Sequence, residues 1–168
     1  NYTAIEGNLL MYKSLKERDF RVYKENVPPI DLEQKFDAIF MNQVFEHMEN
    51  KNDALRLLDS CKKHLNDGGI LIISCPDIIF HKEDFYQDYT HGFPTTMVRV
   101  QNMLKDCGFT VAYSNYYAFF FEGYVLAQIM TFITRFFYSI GILHIIFGKK
   151  AYKAKISLLP SFVLVARV

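Results

Sequence analysis

The stretch from Lys35 to Asp77 reads KFDAIFMNQVFEHMENKNDALRLLDSCKKHLNDGGILIISCPD and predicts a strand, a helix and a second strand. The apolar run from Phe36 to Met41 predicts a buried strand, which ends in a polar turn. Apolar residues at helical spacing over 52–65 predict an amphipathic helix, and we expect Gly68-Gly69 to close it. A continuous apolar run from Ile70 to Cys75 predicts a strand buried on both faces. Polar groups at the carboxyl ends of such neighbouring strands lie where α/β sheets bind ligands.

Shorter patterns on both sides extend this alternation into an α/β fold. Further strands are predicted at residues 2–5, 20–23, 109–115 and 161–168. Further helices are predicted over 8–18, with Asn8 as the cap, and over 95–106, and the interval 78–94 is predicted to be a loop. Strands that alternate with helices predict a Rossmann-like, mostly parallel sheet in a single domain, 1–168.

Composition and charge narrow the classes of function. The formal net charge is +1 and no basic stripe is present, which argues against a nucleic-acid partner. Cys61, Cys75 and Cys107 are unclustered, so the sequence favours a reducing compartment over a disulfide framework. The first residues carry no basic and apolar leader, and we therefore expect a cytoplasmic protein.

The segment from residue 116 to residue 148 is unusually apolar and aromatic. Four polar residues interrupt it, namely Glu122, Gln128, Arg135 and His144. A central Arg costs about 2.5–3.5 kcal/mol on insertion scales, so a spanning helix is less favoured than two helices split near Gly141. Such helices would cap the sheet or lie against a membrane surface. Lysines follow at positions 149, 150, 153 and 155, and they would either contact anionic lipid or form a solvated connection to the last strand. We expect residues 116–155 to form an apolar helical insertion before that strand.

The pattern of residues 35–77 resembles the fourth and fifth strands of class I S-adenosylmethionine-dependent methyltransferases. The resemblance covers residues 2–108 and, loosely, the final strand. It implies transfer of a methyl group from S-adenosylmethionine to a hydroxyl or amine of a small molecule or sugar. The family's first strand and glycine-rich turn have no counterpart here, so we expect a fragment whose sheet is incomplete at its N-terminal side. The strands at 2–5 and 36–41 would then flank a gap, and this chain alone would bind the cofactor poorly.

The resemblance implies cofactor-binding residues directly after three of the strands. These residues are Glu6 and Gly7, Glu25 and Asn26, and Asn42, Gln43 and Val44. Glu6 takes the place of an acidic residue that holds both ribose hydroxyls, since a carboxylate can accept two hydrogen bonds from a vicinal diol. Glu25 and Asn26 take the place beside the adenine amino group, and the three residues after Met41 take the place beside the methionine part. The alternative for each acidic or amide residue is an ordinary strand end or solvated turn.

A general base is implied by the run DYTH at residues 88–91. Relatives that act on sugars or other small hydroxylated molecules show a similar run before the next helix. The resemblance implies that His91 removes the proton of the acceptor hydroxyl and that Asp88 orients His91 or contacts the substrate. Asp77, at the end of its strand, would line the substrate side. The alternative is a histidine in a surface loop.

The adjacent pair Glu46-His47 could position a substrate or relay a proton, because His titrates near neutral pH. Some relatives bind a divalent metal through a Glu, a Glu-His pair three residues on, and a later His. Here the first of those positions is Gln43, and a neutral amide is a poorer ligand for a hard cation than a carboxylate. We therefore expect no metal, with a metal-assisted mechanism through Glu46, His47 and His91 as an alternative. A structural alternative is that Glu46-His47 caps the following helix.

A rival class of function treats the methyltransferase-like sheet as a scaffold. In that hypothesis the chain is a non-catalytic, membrane-associated or interaction module, and its apolar segment is the working part. Peripheral contact with a membrane would then be made through residues 116–155.

Overall fold

Two short parallel strands and a helix between them open the part of the chain that this computed structural model describes, residues 2–168. Strands β1 (Thr3–Ile5) and β2 (Arg21–Tyr23) pair in parallel, and helix α1 (Leu9–Glu17) connects them. Asn8 caps α1, because its Oδ1 accepts hydrogen bonds from two backbone N–H groups of the first turn, at 2.9 and 3.2 Å. The predicted strands, helix and cap are confirmed.

The segment 35–77 folds as the predicted βαβ unit. Strands β3 (Phe36–Asn42) and β4 (Leu65–Pro76) pair in parallel, and helix α2 (Lys51–Lys63) connects them. Asn50 caps α2 with its side-chain oxygen. The capping role considered for Glu46-His47 is therefore wrong, because the helix begins after Asn50.

The predicted end of this helix at Gly68-Gly69 is also wrong. Helix α2 ends at Lys63, because β4 already begins at Leu65, which pairs with Phe36. The register between β3 and β4 shifts before Ile70 is reached. Gly68, with a φ of 76°, supplies the left-handed residue that this irregularity requires.

Part of the interval 78–94, predicted as a loop, is helical. Helix α3 (Ile78–His81) begins after Asp77, whose Oδ1 accepts a hydrogen bond from a backbone N–H of the first turn at 2.9 Å. A 3-10 turn over Lys82–Gln87 follows, and Phe85 within it is fully buried. The loop prediction was wrong here because a capping aspartate and a buried aromatic ring stabilise turns that lack helical periodicity.

Most of the remaining elements were predicted, but a short strand at 121–122 and a third helix over 151–158 were not. The remaining elements are α4 (Met97–Asp106), β5 (Thr110–Ala118), a short β6 (Phe121–Glu122), α5 (Tyr124–Ser139), α6 (Ile142–Phe147), α7 (Ala151–Leu158) and β7 (Ser161–Arg167). The apolar segment thus forms helices between β5 and β7, and Gly141, with a φ of 81°, separates α5 from α6.

The larger sheet has the strand order β3-β4-β7-β5-β6, which with its covering helices is a Rossmann-like arrangement. Only the β3–β4 pair is parallel; the pairs β4–β7, β7–β5 and β5–β6 are antiparallel. The expectation of a mostly parallel sheet is corrected on this point. Its physical reason is that β7 returns from the helical segment and enters between β4 and β5 in the opposite direction. Helices α2 and α4 pack against this sheet, and the core contains Leu57, Leu58, Leu71, Ile73, Val100, Phe162 and Leu164.

Strands β1 and β2 form a separate two-stranded sheet. An apolar cleft of about 450 Å³ lies between β1 and β3, and its walls include Ile5, Val27, Ile30, Phe36 and Met41. The gap expected between these strands is therefore present in the structure.

Candidate functional site

The turns that follow β1, β2 and β3 surround one cleft of about 580 Å³, which we call the nucleoside cleft. It is lined by Ile5, Glu6, Gly7, Glu25, Asn26, Val27, Pro28, Val44, His47, Met48, Glu49 and Asp53. Its volume falls within the roughly 300–1,000 Å³ of small-molecule sites. Most of the cofactor residues expected from the sequence therefore lie together around one space.

One wall of the nucleoside cleft is built by Glu6, Gly7 and Asn26. Glu6 is half-buried, and its Oε1 accepts a hydrogen bond from the backbone N–H of Asn8 at 2.7 Å, which orients the carboxylate. A Cβ added to Gly7 would lie 2.2 Å from Asn26 Oδ1, so this wall closes only because residue 7 has no side chain. The wall offers a carboxylate and an amide oxygen, both able to accept hydrogen bonds from a ligand.

Asn42 and Gln43 do not line the nucleoside cleft, and their expected place beside the methionine part of the cofactor stays a prediction. Asn42 lines a second cleft of about 500 Å³, together with Ser74 and Tyr117. Successive side chains of a strand point to opposite faces, so the orientation of Asn42 follows from that of buried Met41. Gln43 has a left-handed backbone with a φ of 54° and is exposed, with its N–H donating to the carbonyl of Ser74 at 2.8 Å.

Glu46 is wholly buried in a 3-10 turn over Phe45–His47. Neither of its carboxylate oxygens has a hydrogen-bond partner among the described residues 2–168. Burial raises the pKa of Glu46, and the neighbouring charge of His47 opposes this only in part. A buried carboxyl without partners is costly to the fold, and it marks the turn as a candidate binding position.

His47 is oriented by Thr90 and Asp88. The hydroxyl of Thr90 donates to Asp88 Oδ1 at 2.5 Å, so its oxygen is left to accept from His47 Nδ1 at 2.9 Å. The carbonyl oxygen of Thr90, which can only accept, lies 3.2 Å from the same nitrogen. The proton of a neutral His47 ring therefore sits on Nδ1, and Nε2 keeps its lone pair. The hydrogen bond from Thr90 also holds the pKa of Asp88 below its ordinary value, so Asp88 is ionised at neutral pH.

His91 lies next to His47, with ring centroids 4.9 Å apart. Its Nδ1 is 2.7 Å from the carbonyl oxygen of Phe85, which requires an N–H donor at that position. Its Nε2 is therefore the basic nitrogen, and it lies 4.0 Å from Asp88 Oδ2. Burial lowers the pKa of His91, with a smaller contribution from the charge of His47, so the neutral form that can accept a proton is favoured.

Asp77 was expected to line the substrate side, but it is buried and bonded to neighbouring elements of the fold. It is fully buried, and one carboxylate oxygen accepts from a backbone N–H of α3 at 2.9 Å. The other oxygen accepts from the backbone N–H of Met97 at 2.9 Å and from the hydroxyl of Tyr116 at 3.1 Å. These contacts join α3, α4 and β5, and they account for the aspartate at this position.

Glu46, His47 and His91 also form a possible metal-binding group, with one potential ligand atom from each within 4.8 Å of the others. Two imidazoles and a carboxylate are the donor set of many catalytic zinc sites. The sequence argument against a metal rested on Gln43, which lies outside this group. The arrangement can therefore act as a pair of bases or hold a divalent cation.

Sequence reasoning gave no role to Thr90 or Phe85. Thr90 lies 43 positions from His47, and the carbonyl of Phe85 is a backbone group that any residue could supply. The only sequence signal was that Thr90 stands between Asp88 and His91 in the DYTH run.

Comparison with known proteins finds a family similarity in the first part of the chain. Residues 3–71 match the family model of a methyltransferase domain. This match and the fold neighbours described next support a class I S-adenosylmethionine-dependent methyltransferase. No curated protein is similar enough in sequence to match the chain.

Solved structures of methyltransferases share the fold at low sequence identity. An S-adenosylmethionine-dependent methyltransferase from Archaeoglobus fulgidus has a TM-score of 0.61 at 14% identity, over 99% of this chain and 75% of that one. One from Clostridium acetobutylicum has a TM-score of 0.64 at 8% identity, over 100% of this chain and 75% of that one. The N-methyltransferase NodS from Bradyrhizobium japonicum, solved with S-adenosyl-L-homocysteine, has a TM-score of 0.63 at 10% identity, over 98% of this chain and 65% of NodS.

The methyl donor of this methyltransferase family is S-adenosylmethionine. The nucleoside cleft fits the nucleoside half of that molecule, since it combines an oriented carboxylate, a glycine with no side chain and apolar surface from Ile5, Val27 and Val44. Glu6 and Asn26 are the residues that would contact its polar groups.

Proposed function

We propose that this methyltransferase chain binds S-adenosylmethionine in the nucleoside cleft and transfers its methyl group to a hydroxyl or amine of a small molecule or sugar. The observation that supports the proposal most strongly is the pair His47 and His91. Each has Nδ1 engaged with an acceptor, which leaves two Nε2 lone pairs beside a cleft that His47 itself lines.

Binding of the nucleoside half would depend on Glu6. Its carboxylate is held by the N–H of Asn8, and each carboxylate oxygen has two lone pairs, so it can still accept from two ribose hydroxyls. Asn26 would offer its amide to the base, and Val44 would supply apolar surface. The same three positions follow three different strands, which fixes their spacing.

Proton transfer would depend on His91. When bound, S-adenosylmethionine would supply an electrophilic sulfonium methyl group, whose bond to sulfur breaks as the acceptor lone pair bonds to its carbon and S-adenosyl-L-homocysteine leaves. His91 Nε2 takes the proton that the acceptor loses. The resulting imidazolium is stabilised by ionised Asp88, 4.0 Å away, while the Phe85 carbonyl keeps the ring in place. His47, held by Thr90, is the second base available on the same side of the turn.

The nature of the acceptor is supported by one fold neighbour. NodS is an N-methyltransferase, and its structure contains S-adenosyl-L-homocysteine. An amine acceptor is therefore one of the two acceptor types that we propose. An amine that is protonated in water must lose a proton to a base before its nitrogen can attack the methyl group. The same histidine can therefore act as the base for both acceptor types, hydroxyl and amine.

A transfer assay with isotopically labelled S-adenosylmethionine, run at millimolar cofactor over a panel of glycans, lipids and small metabolites, tests the proposal. We expect His91→Ala to lower kcat roughly 100- to 10,000-fold, the range that general acid–base groups contribute. His144→Ala is the matched control, because His144 is exposed on α6 and should leave the rate unchanged. If no acceptor takes up label and calorimetry detects no cofactor binding, the proposed function is wrong.

Chelation separates the two mechanisms available to the Glu46, His47 and His91 group. Proton transfer by free histidines predicts that a chelator leaves the labelled-methyl transfer unchanged. Activity that is lost with the chelator and restored by zinc or another divalent ion would favour the metal-assisted mechanism instead.

A further inference from the structure

A set of exposed apolar side chains is concentrated in the helical segment and the turn before it. It consists of Phe119, Phe120 and Phe121 at the β5–β6 turn, Val125, Ile129, Phe132, Ile133, Phe136 and Ile140 on α5, and Ile145, Ile146 and Phe147 on α6, and we call it the apolar face. Several of these side chains are almost fully solvent-exposed, at 85% for Phe120, 84% for Ile145 and 72% for Phe132. Clustered exposure of this extent marks an interaction surface, because soluble proteins seldom leave large apolar patches uncovered.

The exposed residues of α5 recur at the spacing of a single helical stripe. Val125, Ile129, Phe132, Phe136 and Ile140 are separated by three or four positions. The opposite side of α5 carries buried Ala127 and Thr134 and faces the protein. An ordinary surface helix buries its apolar side and exposes its polar side, whereas α5 presents apolar side chains to the solvent.

Two charged side chains of the segment, Arg135 and Lys155, turn inward, whereas Glu122 is exposed beside Phe121. Arg135, which counts against a spanning helix in the sequence, donates to Glu83 Oε1 at 3.0 Å and to the carbonyls of Phe80 and His81 at 3.0 and 2.8 Å. Lys155 is buried and lies 2.7 Å from Asp84. The charges of Arg135 and Lys155 are therefore compensated within the protein.

The charge around the apolar face is predominantly positive, with exposed Glu122 as the one acidic residue of this part of the sequence. From residue 116 to 168 the sequence has six basic residues and one acidic residue, whereas residues 1–115 have 13 basic and 17 acidic. Lys149, Lys150 and Lys153 are exposed and follow directly after α6. A basic rim beside exposed apolar side chains complements an anionic surface, and it disfavours a second copy of the same face, which would bring like charges together.

We propose that the apolar face binds the surface of an anionic lipid bilayer, with α5 and α6 lying in the interface and the lysines on the headgroups. Within residues 2–168 no single helix is long and apolar enough to cross a bilayer; Tyr124–Ser139 and Ile142–Leu158 meet the length and composition only as a pair, and they are bent by 74°. The buried contacts of Ala151, Lys155 and Leu159 hold α7 to the rest of the protein. Attachment to one leaflet is consistent with the bend between the two helices and with the packing of α7 against the rest of the protein.

Flotation with lipid vesicles tests this proposal. The full chain is mixed with vesicles of phosphatidylcholine containing about one-third phosphatidylserine, and with vesicles of phosphatidylcholine alone. We expect the chain to float with the anionic vesicles. The triple substitution Phe120→Ser, Phe132→Ser and Ile145→Ser should abolish flotation, because it removes three of the most exposed apolar side chains of the face.

A matched control substitutes exposed apolar residues elsewhere. Leu10→Ser, Met11→Ser and Val98→Ser change side chains that are 77%, 56% and 58% exposed, and binding should be unchanged. Circular dichroism and thermal melting show whether each variant is folded. A chain that stays with the pellet in the presence of anionic vesicles, or a serine variant that floats like the original, would overturn the proposal.

The lysines are tested separately by Lys149→Gln, Lys150→Gln and Lys153→Gln. We expect binding to anionic vesicles to weaken roughly 100-fold, at about 1 kcal/mol per basic residue. Lys13→Gln, Lys16→Gln and Lys24→Gln on the other part of the surface are the control and should bind normally.

If light scattering shows a dimer that the serine variant converts to a monomer, and no vesicle binding occurs, a second copy covers the face and the proposal is wrong. Methyl transfer to a soluble acceptor is measured on the same variants and should persist, so failure of this proposal is distinguishable from failure of the proposed function.

Discussion

Replacing Asp84 with Asn tests whether a buried ion cluster holds α5 and α7 to the rest of the protein. The side chain of Asp84 is 5% exposed and lies 2.7 Å from the ammonium of Lys155, whose side chain is 9% exposed. It also lies 3.3 Å from the guanidinium of Arg135. D84N keeps the shape of the side chain and removes its charge, which leaves two cations without their shared partner.

The expected loss follows from the burial of this pair. Removing one partner of a buried ion pair costs about 3–5 kcal/mol, because the other charge stays in a medium of low dielectric. For a protein of this size we therefore expect D84N to lower the Tm by roughly 6–20 °C. Differential scanning calorimetry at neutral pH measures the shift.

The neighbouring residue supplies the control. Glu83 contacts the same Arg135 at 3.0 Å, but its side chain is 69% exposed, so water screens the interaction and E83Q should leave the Tm unchanged. The double variant D84N/K155M removes the uncompensated ammonium as well and should recover part of the loss. If D84N melts at the same temperature as E83Q, the cluster does not hold these helices and the reasoning is refuted.

Three further predictions concern protonation and the cofactor. Glu46 is buried without hydrogen-bond partners and burial raises its pKa, so the protein should lose stability as the pH rises through that pKa. Glu46→Gln should therefore raise the free energy of unfolding at pH 8 by about 1–3 kcal/mol in urea titrations. A lower free energy of unfolding for Glu46→Gln would contradict this prediction. Burial lowers the pKa of His81 to about 4, so the unfolded chain binds a proton first as the pH falls below 6.5. Stability should then decline by roughly 3 kcal/mol between pH 6.5 and 4, and His81→Gln should flatten this slope; parallel slopes would disprove the role of His81. The apolar cleft between β1 and β3 separates the two sheets, and the sequence contains no glycine-rich turn. We therefore expect calorimetry on residues 1–168 to give a dissociation constant for S-adenosylmethionine above the micromolar range. A micromolar dissociation constant would show this prediction to be wrong.

The sequence predicted those elements whose start, end or spacing is determined by residues only a few positions apart. The cap at Asn8 and the apolar spacing of α2 and α4 depend on residues within a few positions, and the structure has them nearly as predicted. The end of α2 was wrong because it is decided by the pairing of Leu65 with Phe36, which lie 29 positions apart. The same holds for the direction of β7, since its neighbours are chosen by the whole sheet.

The candidate site shows the same division between local and non-local causes. Glu6, Glu25 and Val44 were expected at strand ends and do line one cleft, because each directly follows its strand or the turn after it. Asn42 lines a different cleft, because the alternation of side chains along β3 places it on the face opposite to buried Met41. The Thr90 contact to His47 joins two turns far apart in the chain, and a single sequence contains no signal for it.

The central position of β7 has a consequence for how the protein folds during synthesis. Strands β4 and β5 both pair with β7 and not with each other, so the larger sheet cannot close until residues 161–167 have been made. Helices α5 and α6 are made before that strand, so the edges of β4 and β5 that pair with β7 stay open during their synthesis. Pairing of strands so distant in sequence is intrinsically slow. The nascent chain therefore passes through a stage in which aggregation competes with closure, and the last strand acts as the step that ends it.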